Sequence, residues 1–283
     1  GETQESLSMS FRLGQSTVSG IIREVCAALI TFLKDDYLRF PNSEDEWRVA
    51  KLILPLNSRF LYNYKGEFMI ILLAIIDTNL RFIFIDVGTN RRISDSGVWN
   101  KCTLKSMLDN NEIKFPKASS LPNSNVSFPF VLVGDEGFPL STKLLIPYPR
   151  IQSSGRKDRR IFNYRLSRAR RTSENDFGVY NTRFQIFRSP IRYDPDIATL
   201  ITQCCCVLHN FLRSKEIGRL LCTSESMLDT EDVYSRVVRP GEWREKSVGG
   251  TNFVHQGGNR HSNAVIHLRN EWCAYFNSTG AAP

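Results

Sequence analysis

The sequence predicts a mixed α/β fold, and three stretches carry that expectation. NYKGEFMIILLAIIDTNLRFIFIDVG (63–88) holds two long apolar runs around Asp77, Thr78 and Asn79, the pattern of an antiparallel hairpin deep in a sheet. FPFVLVGD (128–135) reads as a further buried strand, ended by Asp135. DPDIATLITQCCCVLHNFL (194–212) repeats apolar residues at spacings of three and four, from Ile197 through Leu200, Ile201, Cys204 and Leu208 to Phe211, as an amphipathic helix does. Strands interleaved with helices are the order of a sheet covered by helices.

Taken along the chain, FRLGQSTVSGIIREVCAALITFL (11–33) carries a helical stripe of Val18, Ile21, Ile22, Val25, Cys26, Leu29, Ile30 and Leu33. Gly14 allows a sharp turn before it, and Ser16 or Thr17 can cap it. A short helix, a turn and a second helix would make a helix-turn-helix-like segment, a DNA reader or only a pair packed on the core. SEDEW (43–47) has the Ser43–Glu46 spacing of a capping box. Pro55 is expected to stop any regular element in LILPLNS. SDSGVWNKCTLKSML (94–108) reads as a helix capped by Ser94 or Asp95. The Arg- and Lys-rich run 156–171 continues into a helix to about residue 187, with Phe177, Tyr180, Phe184 and Phe187 on one side. Asp194 or Asp196 caps the 194–212 helix, with Pro195 in its first turn. Beyond 213 periodicity fades until NAVIHLRNEWCAYF (263–276).

The net charge of +8 and pI near 9.2 favour anionic partners such as nucleic acid. Seven cysteines, three of them contiguous and none in a paired CxxC spacing, imply reduced thiols in the nucleus or cytoplasm and no structural zinc. No run reaches membrane-spanning length, no secretory signal is visible, and no membrane partner is expected. The chain opens on Gly1 rather than Met, so an earlier start is expected. A Ser-His-Asp arrangement and a glycine-rich phosphate loop are both missing. His209 reads as a hydrogen-bonded core histidine.

Three acids invite a sharper reading. Asp95 follows the hairpin, Asp135 leaves the end of a buried strand, and Glu174 lies in the helix after the basic run. Carboxylates from separate elements can converge on Mg²⁺ or Mn²⁺, and two such ions can cut a phosphodiester. The residues alone equally allow a helix cap at Asp95, a turn acid at Asp135, and an ion-pair partner for Arg170 or Arg171 at Glu174. The basic run, with Arg168, Arg170 and Arg171, is either a phosphate contact or a solvated face.

The ordered motifs FRLGQSTVSGII, NYKG, IDVG…SDSGVW, VLVGDEGFPLSTKLLIPYP, FNYRLSRARRTSENDFGV, RF, LHNFLR and GNR resemble the PIF/Harbinger-type transposases and their domesticated nuclease relatives across nearly the whole chain. The resemblance implies a helical, helix-turn-helix-like segment over 1–50. It implies a ribonuclease H-like nuclease domain with flanking helices over 51–212, with strand order 3-2-1-4-5, and an irregular tail with a terminal helix over 213–283. It implies a DDE carboxylate set binding Mg²⁺ or Mn²⁺, carried by Asp95, Asp135 and Glu174, with DNA as substrate. A separate DNA-binding partner protein and a nuclear location follow from it.

One departure matters. The family has a strand ahead of NYKG with a motif like GAIDGKH, which supplies the first catalytic Asp. Here LILPL stands in that region without an acid, so the sheet is expected to lack its first strand. Asp86, ending FIFID, is the obvious substitute, but in that order it sits three strands from Asp135, roughly 14 Å at the usual spacing. Asp77 belongs to the hairpin turn. The expected function is a transposase-derived, divalent-metal-dependent DNA endonuclease. The alternative is a catalytically inert DNA- or protein-binding descendant.

Overall fold

In the computed structural model, which describes residues 2–50, 53–62, 69–90, 99–188, 191, 193–215, 225–232, 237–246 and 262–278, the apolar run after NYKG forms the interior of a five-stranded sheet. β1 is Ile53–Tyr62, β2 Met69–Ile76, β3 Phe82–Asn90, β4 Val131–Val133 and β5 Leu144–Leu145. Ile70 to Ile76 are all buried, as a strand covered on both faces requires. β2 pairs antiparallel with β3 and β1, β1 pairs parallel with β4, and β4 with β5. The order is β3-β2-β1-β4-β5.

The central position that the sequence leaves vacant is therefore filled, which corrects the expectation of a deleted first strand. Pro55 does not stop the strand, because the strand changes neighbours at that residue. Ile53, Leu54 and Pro55 pair with Val131, Leu132 and Val133, whereas pairing with β2 begins at Leu56 opposite Ile75. A proline without an amide hydrogen is tolerated where the ladder is one-sided. What this strand lacks is a carboxylate: ILPLNSRFLY contains neither Asp nor Glu.

Helices cover both faces. Among the described residues the longer helices are α1 (Gln4–Phe11), α2 (Gln15–Tyr37), α3 (Glu44–Ala50), α4 (Thr103–Asp109), α5 (Lys157–Arg183), α6 (Pro195–Ser214) and α7 (Asn263–Phe276); α1 packs on α2. On one face Leu73, Ile75 and Ile83 pack with Trp47, Leu104, Leu108, Phe162, Leu166 and Trp272. On the other, Leu72, Ala74, Ile76 and Phe82 pack with Phe177, Tyr180, Ile201 and Val207. Alternate residues of β2 thus serve two cores. α5 contributes to both, so its middle turns cross from one core to the other.

The hairpin turn is held twice. Asp77 Oδ1 accepts the backbone N–H groups of Asn79 (2.8 Å) and Arg81 (2.9 Å), and Leu80 takes a left-handed φ of 57°. From α6, Asn210 Oδ1 accepts the Phe82 N–H at 2.9 Å while its Nδ2 donates to the Phe82 and Tyr37 carbonyls, both at 2.6 Å. His209 is fully buried, its Nε2 3.0 Å from the Leu80 carbonyl and 2.8 Å from Asp176 Oδ1, a core histidine as expected. Arg213 Nη2 donates to the Asn79 carbonyl at 2.8 Å.

Several local expectations change. The residue turning the chain between α1 and α2 is Arg12, with φ 53°; Gly14 has φ −63° and precedes α2 as its cap in place of Ser16 or Thr17. The Glu46 N–H donates to Ser43 Oγ at 3.2 Å, but the Glu46 carboxylate accepts from the Asn42 N–H, one residue earlier than a capping box requires. α4 starts after Cys102, whose Sγ accepts the Lys105 N–H; Ser94 and Asp95 lie outside the described residues. α5 ends at Arg183, and Gln185–Arg188 forms a 3-10 turn. α2 is long and apolar enough to cross a membrane by length and composition, although Arg23, Glu24 and Lys34 interrupt its apolar run. It places Ile22, Cys26 and Leu33 against the second core and leaves Ile21, Val25 and Phe32 exposed.

Candidate active site

β4 carries its buried Val131–Val133 run into Gly134, where a Cβ would stand 2.9 Å from the Phe138 ring. The chain then folds back on itself. Asp135 Oδ1 accepts the Gly137 N–H at 3.0 Å, and the Asp135 carbonyl accepts the Phe138 N–H at 3.3 Å. Phe138 returns to the core against Trp99, with ring centroids 5.5 Å apart. This turn holds the Asp135 carboxylate at the strand end, its side chain 18% exposed. Burial pushes its carboxyl above the usual range against the opposing pull of Arg170.

Glu174 comes from the middle of α5, where the helix passes between the two cores. Arg170 Nη2 lies 4.0 Å from Asp135 Oδ2 and 4.0 Å from Glu174 Oε1. The two carboxylate oxygens are therefore no more than twice that distance apart, both beside one guanidinium nitrogen. Neither contact is a hydrogen bond, and the buried Arg170 Nε has no hydrogen-bond partner. Charge on both sides of this pair is incompletely compensated.

A second segment closes over the adjacent face of α5. Tyr164, Arg168, Arg171, Asn175 and Gly178 recur at spacings of four and three along the helix, and each meets a residue of 225–232 or 237–246. The Tyr164 hydroxyl donates to Glu231, Arg171 Nη1 lies 2.6 Å from Glu231 Oε2, and Arg168 Nε lies 3.4 Å from the same oxygen. Asn175 Oδ1 accepts the Asp229 N–H at 2.9 Å and the Trp243 indole N–H at 3.0 Å. The Trp243 ring lies over Gly178, where a Cβ would come within 2.3 Å of it. Asp229, fully buried at its side chain, accepts the Gly241 N–H at 2.8 Å and the Arg244 guanidinium at 2.5 Å. Burial acts to raise its carboxyl, but the Arg244 and Gly241 hydrogen bonds outweigh it and hold the group below the usual range. The same Arg244 Nη2 lies 3.3 Å from Glu174 Oε2.

The predicted residues thus divide. Asp135 and Glu174, distant in sequence, face one cation. Asp95 lies outside the described residues. Arg170 lies near both carboxylates, whereas Arg168 and Arg171 are turned to Glu231. Asp86 is on β3, three strands from β4, and its Oδ2 accepts the Thr103 N–H at 2.6 Å as a cap on α4. Among the described residues no group of three or more His, Cys, Asp or Glu side chains is placed to hold a metal ion. The donor chemistry of the pair nonetheless suits a hard divalent cation: carboxylate oxygens, one partly buried with its charge poorly matched. Asp229 and Arg244 carry no sequence signal for this role, because they lie where periodicity has faded.

Residues 51–210, more than half of the chain, match the family described as DDE superfamily endonuclease. Searches of curated proteins and of solved structures find no match.

Proposed function

Because the chain belongs to the DDE superfamily endonuclease family, we propose that it is a transposase-derived, divalent-metal-dependent DNA endonuclease on a ribonuclease H-like sheet. The observation that carries this reading is the approach of both Asp135 and Glu174 to 4.0 Å from the same Arg170 Nη2. The strand order β3-β2-β1-β4-β5 supports it, since it puts Asp135 at the end of the strand beside the central one. Asp135 and Glu174 are the groups that would hold Mg²⁺ or Mn²⁺, and Asp95 is the third candidate. A divalent cation supplies Lewis acidity towards a phosphoryl oxygen and lowers the pKa of bound water. The chain's own part is to fix the two carboxylates, one by the turn after β4 and one by α5. The PIF/Harbinger resemblance adds a nuclear location and a separate DNA-binding partner protein, which a fluorescent fusion and co-purification from nuclear extract would test.

Supercoiled plasmid incubated with the protein and Mn²⁺ tests the reaction. Nicking that requires the ion and falls to background in Asp135→Asn is the expected result. A specific observation favours a second reading, a DNA-binding descendant without cleavage: β1 contains no acid in the place where the family carries its first Asp. Cation-dependent DNA binding with no nicking in either Mg²⁺ or Mn²⁺ would select it over the first.

A further inference from the structure

We propose that Arg244, from outside the matched family region, is the side chain that contacts a DNA phosphate beside the carboxylate pair, and that Arg168 and Arg171 are not. The inference rests on the DNA reading above and goes beyond it by choosing among the arginines. Arg168 and Arg171 converge on Glu231, whose side chain is 5% exposed and which also accepts from the Tyr164 hydroxyl. A phosphate reaching them would have to displace a buried carboxylate held by three donors. Arg244 differs in both respects. Its side chain is 44% exposed, and it stands at Glu174 itself. Asp229 anchors it by Nε at 2.9 Å and Nη2 at 2.5 Å, and the Trp243 ring lies 4.5 Å beneath its guanidinium carbon. An arginine fixed in this way loses little further side-chain freedom on meeting a ligand.

Charge gives the second argument. Asp135, Glu174 and Asp229 face Arg170 and Arg244, which leaves the group one negative charge in excess. A divalent cation held by Asp135 and Glu174 reverses that sign. It also competes with both guanidiniums for the Glu174 carboxylate. Of the two arginines Arg244 is the more exposed, 44% against 21% for Arg170, so the anion attracted to the loaded site meets Arg244 first.

The test is binding of full-length protein to a fluorescent DNA duplex in Ca²⁺, with affinity followed against salt. Arg244→Ala is expected to weaken binding several-fold and to flatten the logarithmic salt slope by about 0.9, the loss of one phosphate contact. Arg244→Lys should keep most of that slope. The Arg168→Ala/Arg171→Ala double variant, checked by circular dichroism, should match the wild-type slope. Arg244→Gln, which can still hydrogen bond Asp229, replaces the alanine variant if that one fails to fold. A wild-type slope in Arg244→Ala or Arg244→Gln overturns the proposal, as does a flattened slope in the folded double variant. If DNA binding then still depends on the cation and on Asp135, the active-site reading stands without Arg244. If the wild type binds no DNA, both readings fall.

Discussion

Two residues show how much a single position can hold. Asn210 satisfies both backbone groups of Phe82 and the carbonyl of Tyr37. Asn210→Ala would bury those groups unpaired, at a cost of about 1–3 kcal/mol, read as a lower urea midpoint. The helix containing Asn210 is plain in the sequence from its apolar spacing. The polar residues on its buried side are not, because the Phe82 partner of Asn210 lies 128 positions earlier. Gly178 is the converse case. A glycine inside a helix costs about 1 kcal/mol relative to alanine, and no local feature of ENDFGVY explains it. The Trp243 ring seated over it does. Gly178→Ala should therefore destabilise the protein by about 1–3 kcal/mol through overpacking, and Trp243 fluorescence should report a displaced ring.

At the level of elements, residues 225–232 and 237–246 are tied to α5 chiefly through Asp229 and Glu231. Burial opposes ionisation of both, but Arg244 on one and Tyr164 with Arg171 on the other hold their carboxyls below the usual range. These groups lose protons more readily in the folded protein than in the unfolded chain. Their contribution is complete above the unfolded values of about 3.9 and 4.3 and is lost as pH falls below them towards the folded values. Acidification through that window should expose the amides of 225–232 and 237–246 to hydrogen exchange before those of β2. Simultaneous loss of protection in both would show that the segment has no separate stability. Legibility varies among elements for physical reasons. α7 is readable to its ends, 263–276, from apolar spacing alone. β1 is not, because a proline inside a strand argues against a strand unless the change of partners is known.

Across the whole molecule, the β2–β3 hairpin and the helices that cover the sheet follow from apolar runs, one hairpin turn and amphipathic spacing, whereas the strand order is legible only through the family resemblance. The convergence of Asp135 with Glu174 is legible only through the resemblance of ordered motifs, since spacing alone leaves each acid a local explanation. The approach of Arg244 to Glu174 is legible by neither route. It depends on a tryptophan finding a glycine, and no pattern along the chain records that. The exchange of neighbours at Pro55 also bears on how the sheet assembles. Sliding β1 along β2 so that Pro55 came to a hydrogen-bonded position of the antiparallel ladder would ask a residue without an amide hydrogen to donate. The imino acid at the crossover thus acts as a frame lock, disfavouring any register that sets it at a hydrogen-bonded position of that ladder.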